Sequence, residues 1–364
     1  MQTRPLGACG PQVHPLALGC AGMSDHTAPA DEADAIATIR TALDAGVTLL
    51  DTADFYGMGH NEDLIRRALR AGDREKALLS VKFGGLRGPD GSFIGIEGRP
   101  AHVKNALAYS LRRLDTDHVD IYRSARLAPD APIEDTIGAI SELVQAGYVR
   151  HIGLSEVGPE TIRRAHAVHP ICDVQIEYSL FSRDPEADGT LDTCRELGIG
   201  VTAYGVLAHG LLTGTYRQPA GGDPRAHWLP RFHPDNLATN LTLVERLRPL
   251  ADARGISVAQ LATAWVVAQS RERGTIVAIL GTRRPHRVAE ALAATDVALT
   301  DADLRTIDEA VPADAVAGTR YAAPLMALLD NERGPNPPAS ARNRPPTAGR
   351  TSRLPRHGLR RHAR

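Results

Sequence analysis

Eight short runs rich in aliphatic and β-branched residues recur along this chain, and amphipathic helical stretches separate them. The runs are Leu16–Cys20, Thr48–Thr52, Leu78–Phe83, Val119–Ser124, His151–Ser155, Val174–Tyr178, Gly200–Gly205 and Ile276–Gly281. Between them lie Glu32–Ala45, Pro100–Leu114, Ile133–Ala146, Pro159–Ala167, Pro185–Leu197, Asn236–Ala253 and Val258–Ser270, each patterned as a helix. Strands joined through helices pair in parallel, because only a long crossover can return the chain to the same end of a sheet. Eight such units, with no linker-like break, predict a single α/β domain: a (β/α)8 TIM barrel preceded by a hairpin. An open doubly wound sheet is the competitor. It requires a GxGxxG turn after its first strand, and Leu18-Gly-Cys-Ala-Gly-Met23 is not one.

In a barrel, the C-terminal strand ends converge on one mouth. Here they bring together Cys20 and Gly22, Asp51, Lys82, Ala125, Ser155 and Glu156, Gln175 and Tyr178, Tyr204, and Gly281 to Arg283. Asp51 opens Asp51-Thr-Ala-Asp-Phe-Tyr-Gly57, which delivers a carboxylate and the Tyr56 phenol, while the next strand brings up Lys82. A free phenol, with a pKa of about 10, is a poor acid at neutral pH. A nearby ammonium eases release of its proton, and a carboxylate paired with that ammonium keeps it charged and oriented. Each residue also has a plainer reading, as a helix cap, a tethered core tyrosine and half of a structural ion pair. Their joint placement favours a proton-donating site. Two long connections, Thr215–Pro234 and Pro312–Asn331, are natural covers for the mouth.

The 364 residues carry a formal charge of −1, which argues against nucleic acid or a membrane surface as the main partner. No apolar run reaches the length of a membrane span, and the start lacks the apolar core of a signal peptide. Cys9, Cys20, Cys172 and Cys194 are scattered, without metal-ligand spacing, and read as reduced thiols of a cytoplasmic protein that holds no metal. The sequence carries no clear signal of oligomeric state. The barrel is expected over residues 1–332. Residues 333–364 form an arginine- and proline-rich tail without acidic residues, expected to be disordered. It reads as an arm for nucleic acid or an acidic partner, or equally as an extension without function or a misread coding frame.

Asp51-Thr-Ala-Asp-Phe-Tyr-Gly with Asn61-Glu62, Pro132-Ile-Glu-Asp-Thr, and Gly147-Tyr-Val-Arg-His-Ile-Gly-Leu-Ser-Glu156 resemble, in order, signatures of the aldo-keto reductases. Gln175-Ile-Glu-Tyr-Ser-Leu180, Ala203-Tyr204 with Gly210-Leu-Leu-Thr-Gly214, and Gly281-Thr-Arg-Arg284 extend the match from Leu6 to about Glu332. The branch it most resembles holds pyridoxal reductase-like and auxin-induced-protein-like enzymes. The resemblance implies NADPH-dependent reduction of a small aldehyde or ketone, with Tyr56 as general acid, Lys82 its activator and Asp51 the partner of Lys82. It assigns Ser155 and Gln175 to the nicotinamide carboxamide and Tyr204 to a stack beneath the ring. It assigns Leu207 and Gly210 to the pyrophosphate loop, and counts Gly22, Met23, Asp51, Glu156 and Gly205 among the NADP(H)-binding residues. Gly281, Thr282, Arg283, Arg287 and Glu290 match the adenosine end, where Arg283 and Arg287 suit a 2′-phosphate.

One member of the family's catalytic set is missing. Its histidine falls at Ala125 in Asp120-Ile-Tyr-Arg-Ser-Ala125-Arg. Losing one such donor commonly slows a reaction by about a hundredfold without abolishing it. A widened site, a replacement donor from Ser124 or Arg126, and weak turnover are three open consequences. Ala291 stands where the family usually has an adenine-contacting Asn, and Gly205-Val206 replaces Ser-Pro. An NADPH-binding regulatory or scaffold subunit is therefore the rival reading, and a barrel hydrolase or lyase a third.

Overall fold

The last strand of the predicted series hydrogen bonds to the first, Ala278 opposite Leu16 and Gly281 opposite Gly19, so the sheet is a closed barrel. The computed structural model describes residues 3–24, 31–219 and 222–330. The boundary expected near Glu332 and the tail beyond it lie outside the described residues. The barrel strands are β1 (Leu16–Gly19), β2 (Leu49–Ala53), β3 (Leu78–Phe83), β4 (Val119–Ser124), β5 (Val149–Ser155), β6 (Ile171–Glu177), β7 (Gly200–Tyr204) and β8 (Ile276–Gly281). Each pairs in parallel with its sequence neighbours, and β8 pairs with β1. Closure excludes the open doubly wound alternative.

The interior is layered by the two-residue period of a strand. At the bottom, Ala17, Leu49, Ile121, Cys172, Val277 and Ile279 form a separate apolar cluster. Leu6 and Val13, from the short hairpin Arg4–Pro5 and Gln12–Val13, join it and plug that end. Two residues further along the strands come Ser80, Arg123, Asp173 and Thr202, all buried. Two residues after Ser80, Arg123, Asp173 and Thr202 come Lys82, Ala125, Gln175 and Tyr204, which line the mouth together with Asp51 and Ser155. Gly153 is what gives Arg123 its space. A Cβ there would stand 2.9 Å from the Arg123 Cζ and 2.7 Å from an Asp173 oxygen.

Outside the barrel, the helices bury their apolar stripes against the sheet. Glu32–Asp44 is capped by Asp31, whose carboxylate accepts from the Ala33 and Asp34 amides. Val258–Ala268 starts with a capping box between Ser257 and Gln260. The expected helix Pro185–Leu197 is instead two pieces, Asp184–Ala187 and Thr190–Glu196, because Gly189 adopts a left-handed φ of 85°. Likewise the stretch after Val258 ends at Ala268, and Ser270–Arg273 forms a separate turn. No helix among the described residues is long and apolar enough to cross a membrane.

Candidate active site

The mouth of the barrel holds a cavity of about 880 Å³, and its floor carries the Asp51, Tyr56 and Lys82 side chains together. Lys82 Nζ donates to Asp51 Oδ1 at 2.5 Å. The other carboxylate oxygen of Asp51 accepts from Ser80 Oγ at 3.0 Å and from Gln175 Nε2 at 2.7 Å. Asp51 and Lys82 are almost fully buried, so their charges survive only by pairing. Register dictates the meeting: Asp51 lies opposite Ser80 on β3, and Lys82 follows two residues later on the same face.

Tyr56 reaches the same point by a different route. It follows β2 in a tight segment where Gly57, Met58 and Gly59 all take left-handed φ angles of 56°, 54° and 97°. Gly59 cannot be larger, because a Cβ would meet Arg113 Cδ at 2.6 Å. Arg113 runs past it to donate to buried Glu62. Asn61 pins the segment down. It accepts from Thr52 Oγ1 at 2.6 Å and donates to the Cys20 carbonyl at 2.8 Å, tying β2 to the end of β1. The Tyr56 ring is left with its centroid 5.2 Å from Lys82 Nζ. Burial raises the phenol pKa above its ordinary value and Asp51 adds to that, while Lys82 and Arg126 pull it down.

Most of the remaining sequence-selected residues line the same cavity: Gly22, Ser155, Gln175, Tyr204, Gly205, Leu207, Gly210, Gly281, Thr282, Arg283 and Arg287. Three do not. Met23 is packed in the core. Glu156 is fully buried beneath the mouth and paired in bidentate fashion with Arg320 at 3.0 and 3.2 Å. Burial opposes ionisation of Glu156, but Arg320 and Arg126 overcome it and lower its pKa. Glu290 accepts from Ser257 Oγ at 3.0 Å, at the start of the neighbouring helix. Tyr178, also at a strand end, turns away and donates to Glu186.

Three stretches of chain cover the mouth, and the sequence pointed to two. The connection after β7 contributes Arg225 and Trp228, and the one before residue 330 contributes Tyr321, Leu325 and Leu328. The Tyr321 and Tyr204 hydroxyls are hydrogen bonded at 3.0 Å. The third cover is an antiparallel ribbon, Gly85–Arg87 with Phe93–Ile96, that supplies Gly85, Arg87, Phe93 and Ile96. Its sequence signal was the Gly88-Pro-Asp-Gly91 turn between two short runs. Sequence reading also missed the polar layer beneath the floor. Arg123 donates to Asp173 Oδ2 at 2.8 Å and to Ser80 Oγ at 3.0 Å, so Ser80 links it to Asp51. Counting back two residues from Lys82, Ala125, Gln175 and Tyr204 was the available clue.

At Ala125 the structure answers one question about donors. Ser124 Oγ donates to the Arg126 carbonyl at 2.5 Å, which commits it to the turn. Arg126 donates to the Ala125 carbonyl at 2.6 Å and lines the cavity beside it.

Fold and site find the same relatives. The aldo/keto reductase family model matches residues 15–312. The chain belongs to the aldo-keto reductase family. A curated member, the probable aldo-keto reductase 1 of Glycine max, is 42% identical over 327 residues, covering 88% of this chain and 92% of its own. Among solved structures, the glycerol dehydrogenase of Gluconobacter oxydans superposes with a TM-score of 0.75 at 28% identity, covering 92% of this chain and 98% of its own. An aldo-keto reductase of Bacillus halodurans, solved in its holo form, gives 0.70 at 28% identity, over 86% and 97%. As an aldo-keto reductase the protein is an oxidoreductase, and carbonyl reduction with a nicotinamide cofactor is its family's general chemistry.

Proposed function

We propose that this aldo-keto reductase reduces an aldehyde or ketone to an alcohol with NADPH, and that Tyr56 is the general acid. The observation that carries the proposal is the Tyr56–Lys82–Asp51 arrangement on the cavity floor, with Lys82 between the phenol ring and the carboxylate. The cavity wall fits a dinucleotide. A Cβ built on Gly22, Gly210 or Gly281 would meet nothing within 4 Å, so these glycines leave space rather than fill a packing gap. His209 holds a left-handed φ of 54° on the same wall, next to buried Ala208 at 46°, a conformation of the kind that functional loops retain. Arg283, Arg284 and Arg287 gather at the start of the helix Pro285–Ala293, where cationic side chains and the helix N-terminus both suit phosphate.

Bound there, the reduced nicotinamide supplies a hydride to the carbonyl carbon. Ser155 and Gln175 would hold its carboxamide and Tyr204 would lie under the ring. Gly205, Leu207 and Gly210 would flank the pyrophosphate, and Gly281, Thr282, Arg283 and Arg287 the adenosine end. Tyr56 gives its proton to the carbonyl oxygen, and Lys82 stabilises the phenolate that remains. Asp51 keeps Lys82 charged, with Ser80 and Gln175 fixing the carboxylate. Apolar Phe55, Phe93, Ile96 and Trp228 shape the entrance for the organic part of the substrate.

Reduced-nicotinamide absorbance followed with a panel of aldehydes tests the proposal, wild type against Tyr56→Phe. Loss of the phenol should lower kcat by roughly 10²–10⁴. Tight NADPH binding with no Tyr56-dependent oxidation would instead favour the second reading, a cofactor-binding regulatory subunit. Ala125, which offers no donor at the family's histidine position, is the observation on that side.

A further inference from the structure

The cavity carries more positive charge than the cofactor end accounts for. Among its described lining residues, Asp51 is the only carboxylate, and Lys82, Ser80 and Gln175 already occupy it. Arg283, Arg284 and Arg287 sit after β8, and Arg225 is paired with Asp223 at 2.7 Å. That leaves Arg87 and Arg126. They follow β3 and β4, which lie across the closed barrel from β7 and β8. Among the described residues, no carboxylate comes within 4.0 Å of either guanidinium. Among the described residues, Arg87 Nε is buried without a partner, and the guanidinium's one hydrogen bond goes to the Gly91 carbonyl at 3.3 Å.

We propose that Arg126, supported by Arg87, anchors an anionic group on the substrate, so that the preferred substrates are aldehydes or ketones carrying a carboxylate. Arg126 is adjacent to Ala125 and lines the same cavity as Tyr56, Tyr204 and Tyr321. The one carboxylate that acts on its charge, Glu156, is already paired with Arg320 at 3.0 Å. A planar guanidinium with one N–H spent on a backbone carbonyl keeps a face able to bind a carboxylate through two bonds. The small Ala125 side chain leaves room beside it that a histidine would fill. An anchored carboxylate would orient the carbonyl, the task the missing histidine performs elsewhere in the family. This inference rests on the reductase reading and names its substrate class.

The test compares 4-carboxybenzaldehyde with methyl 4-formylbenzoate, which share a ring and an aldehyde and differ in charge. Wild type should favour the acid in kcat/KM by about tenfold or more, the worth of a charge-assisted bond. In Arg126→Met that acid-to-ester ratio should collapse towards unity, and Arg126→Lys should keep part of it. A wild-type ratio near one, or a ratio unchanged in Arg126→Met, overturns the anchor while leaving Tyr56-dependent reduction intact. Should Arg126→Met fail to fold, the wild-type ratio and competition by 4-(hydroxymethyl)benzoate against its methyl ester decide. Should neither aldehyde be reduced in a Tyr56-dependent way, the reductase reading is what fails. The anchor is then judged by calorimetry of the same two alcohols on NADPH-supplemented protein: tighter acid supports it, equal affinities refute it.

Discussion

Lys82 Nζ lies 2.5 Å from Asp51 Oδ1, a buried ion pair inside the barrel mouth with Ser80 and Gln175 completing the carboxylate's shell. Such a pair is weak evidence for stability when whole, but costly to break from one side. Lys82→Met leaves Asp51 buried with two neutral donors and should destabilise the fold by roughly 3–5 kcal/mol. Denaturant midpoints of the two proteins measure this, and a loss below about 1 kcal/mol, typical of an exposed pair, would contradict the burial argument.

As the proposed general acid, the Tyr56 phenol would set the upper pH limit of reduction. Burial, with Asp51, outweighs Lys82 and Arg126 and raises its pKa above the ordinary value. The acid form is the active form in reduction, and a raised pKa keeps it populated to higher pH. No Tyr56-dependent fall in kcat/KM is therefore expected between neutrality and about pH 10, the ordinary range of a phenol. A log-linear decline beginning near neutral pH, absent in Tyr56→Phe, would mean that Lys82 dominates instead.

Two residues before Tyr56 lies a carboxyl whose pKa burial also raises. Burial first, and the charge of Glu62 second, push Asp54 up to about 7, against the pull of Arg113. Asp54 Oδ1 and Glu62 Oε1 are both buried without a hydrogen-bond partner among the described residues. Between the ordinary carboxyl value of about 4 and the raised value, the folded protein holds a proton that the unfolded chain has released. Stability is thus lost as pH rises through that window and is level above it. Asp54→Asn removes the titration, so its melting temperature should fall less than wild type's between pH 5 and 8. Parallel curves would show that Asp54 does not carry the linkage.

The proposed preference for NADPH rests on the arginines after β8. Arg287→Ala should weaken NADPH binding by about tenfold or more, since a charge-assisted contact to the 2′-phosphate is lost, and NADH binding much less. Fluorescence titration with both cofactors measures the difference. Equal losses would contradict the assignment of the 2′-phosphate to this arginine.

The barrel was legible because its signals are repetitive. Each strand-and-helix unit restates the period, so an error of a residue or two at Thr48 or Tyr178 leaves the topology unchanged. Asp51, Lys82, Ser155, Gln175 and Tyr204 were legible for a related reason, since a strand end in a closed barrel has one place to go. Glu156 and Met23 follow such ends, yet they turn into the interior. Glu156 adopts φ of 52° and meets Arg320 from a distant part of the chain, which no local pattern announces. Arg123 was hidden inside a strand, where an arginine contradicts the apolar pattern. Its acceptability depends on Asp173 and on the absent side chain at Gly153. The ribbon that carries Arg87 is short and partly exposed, so its pairing comes from the mouth it covers rather than from its own composition.

The central claim is that Tyr56 protonates a carbonyl oxygen as a hydride arrives at the carbon. Reduction of an aldehyde with NADPH deuterated at the nicotinamide C4 tests it most directly, with the alcohol analysed by mass spectrometry. The account predicts deuterium at the carbinol carbon with wild type, and a rate reduced by roughly 10²–10⁴ in Tyr56→Phe that still binds NADPH with unchanged affinity. Equal rates of deuterium transfer by the two proteins, or none by wild type under saturating cofactor, would contradict it.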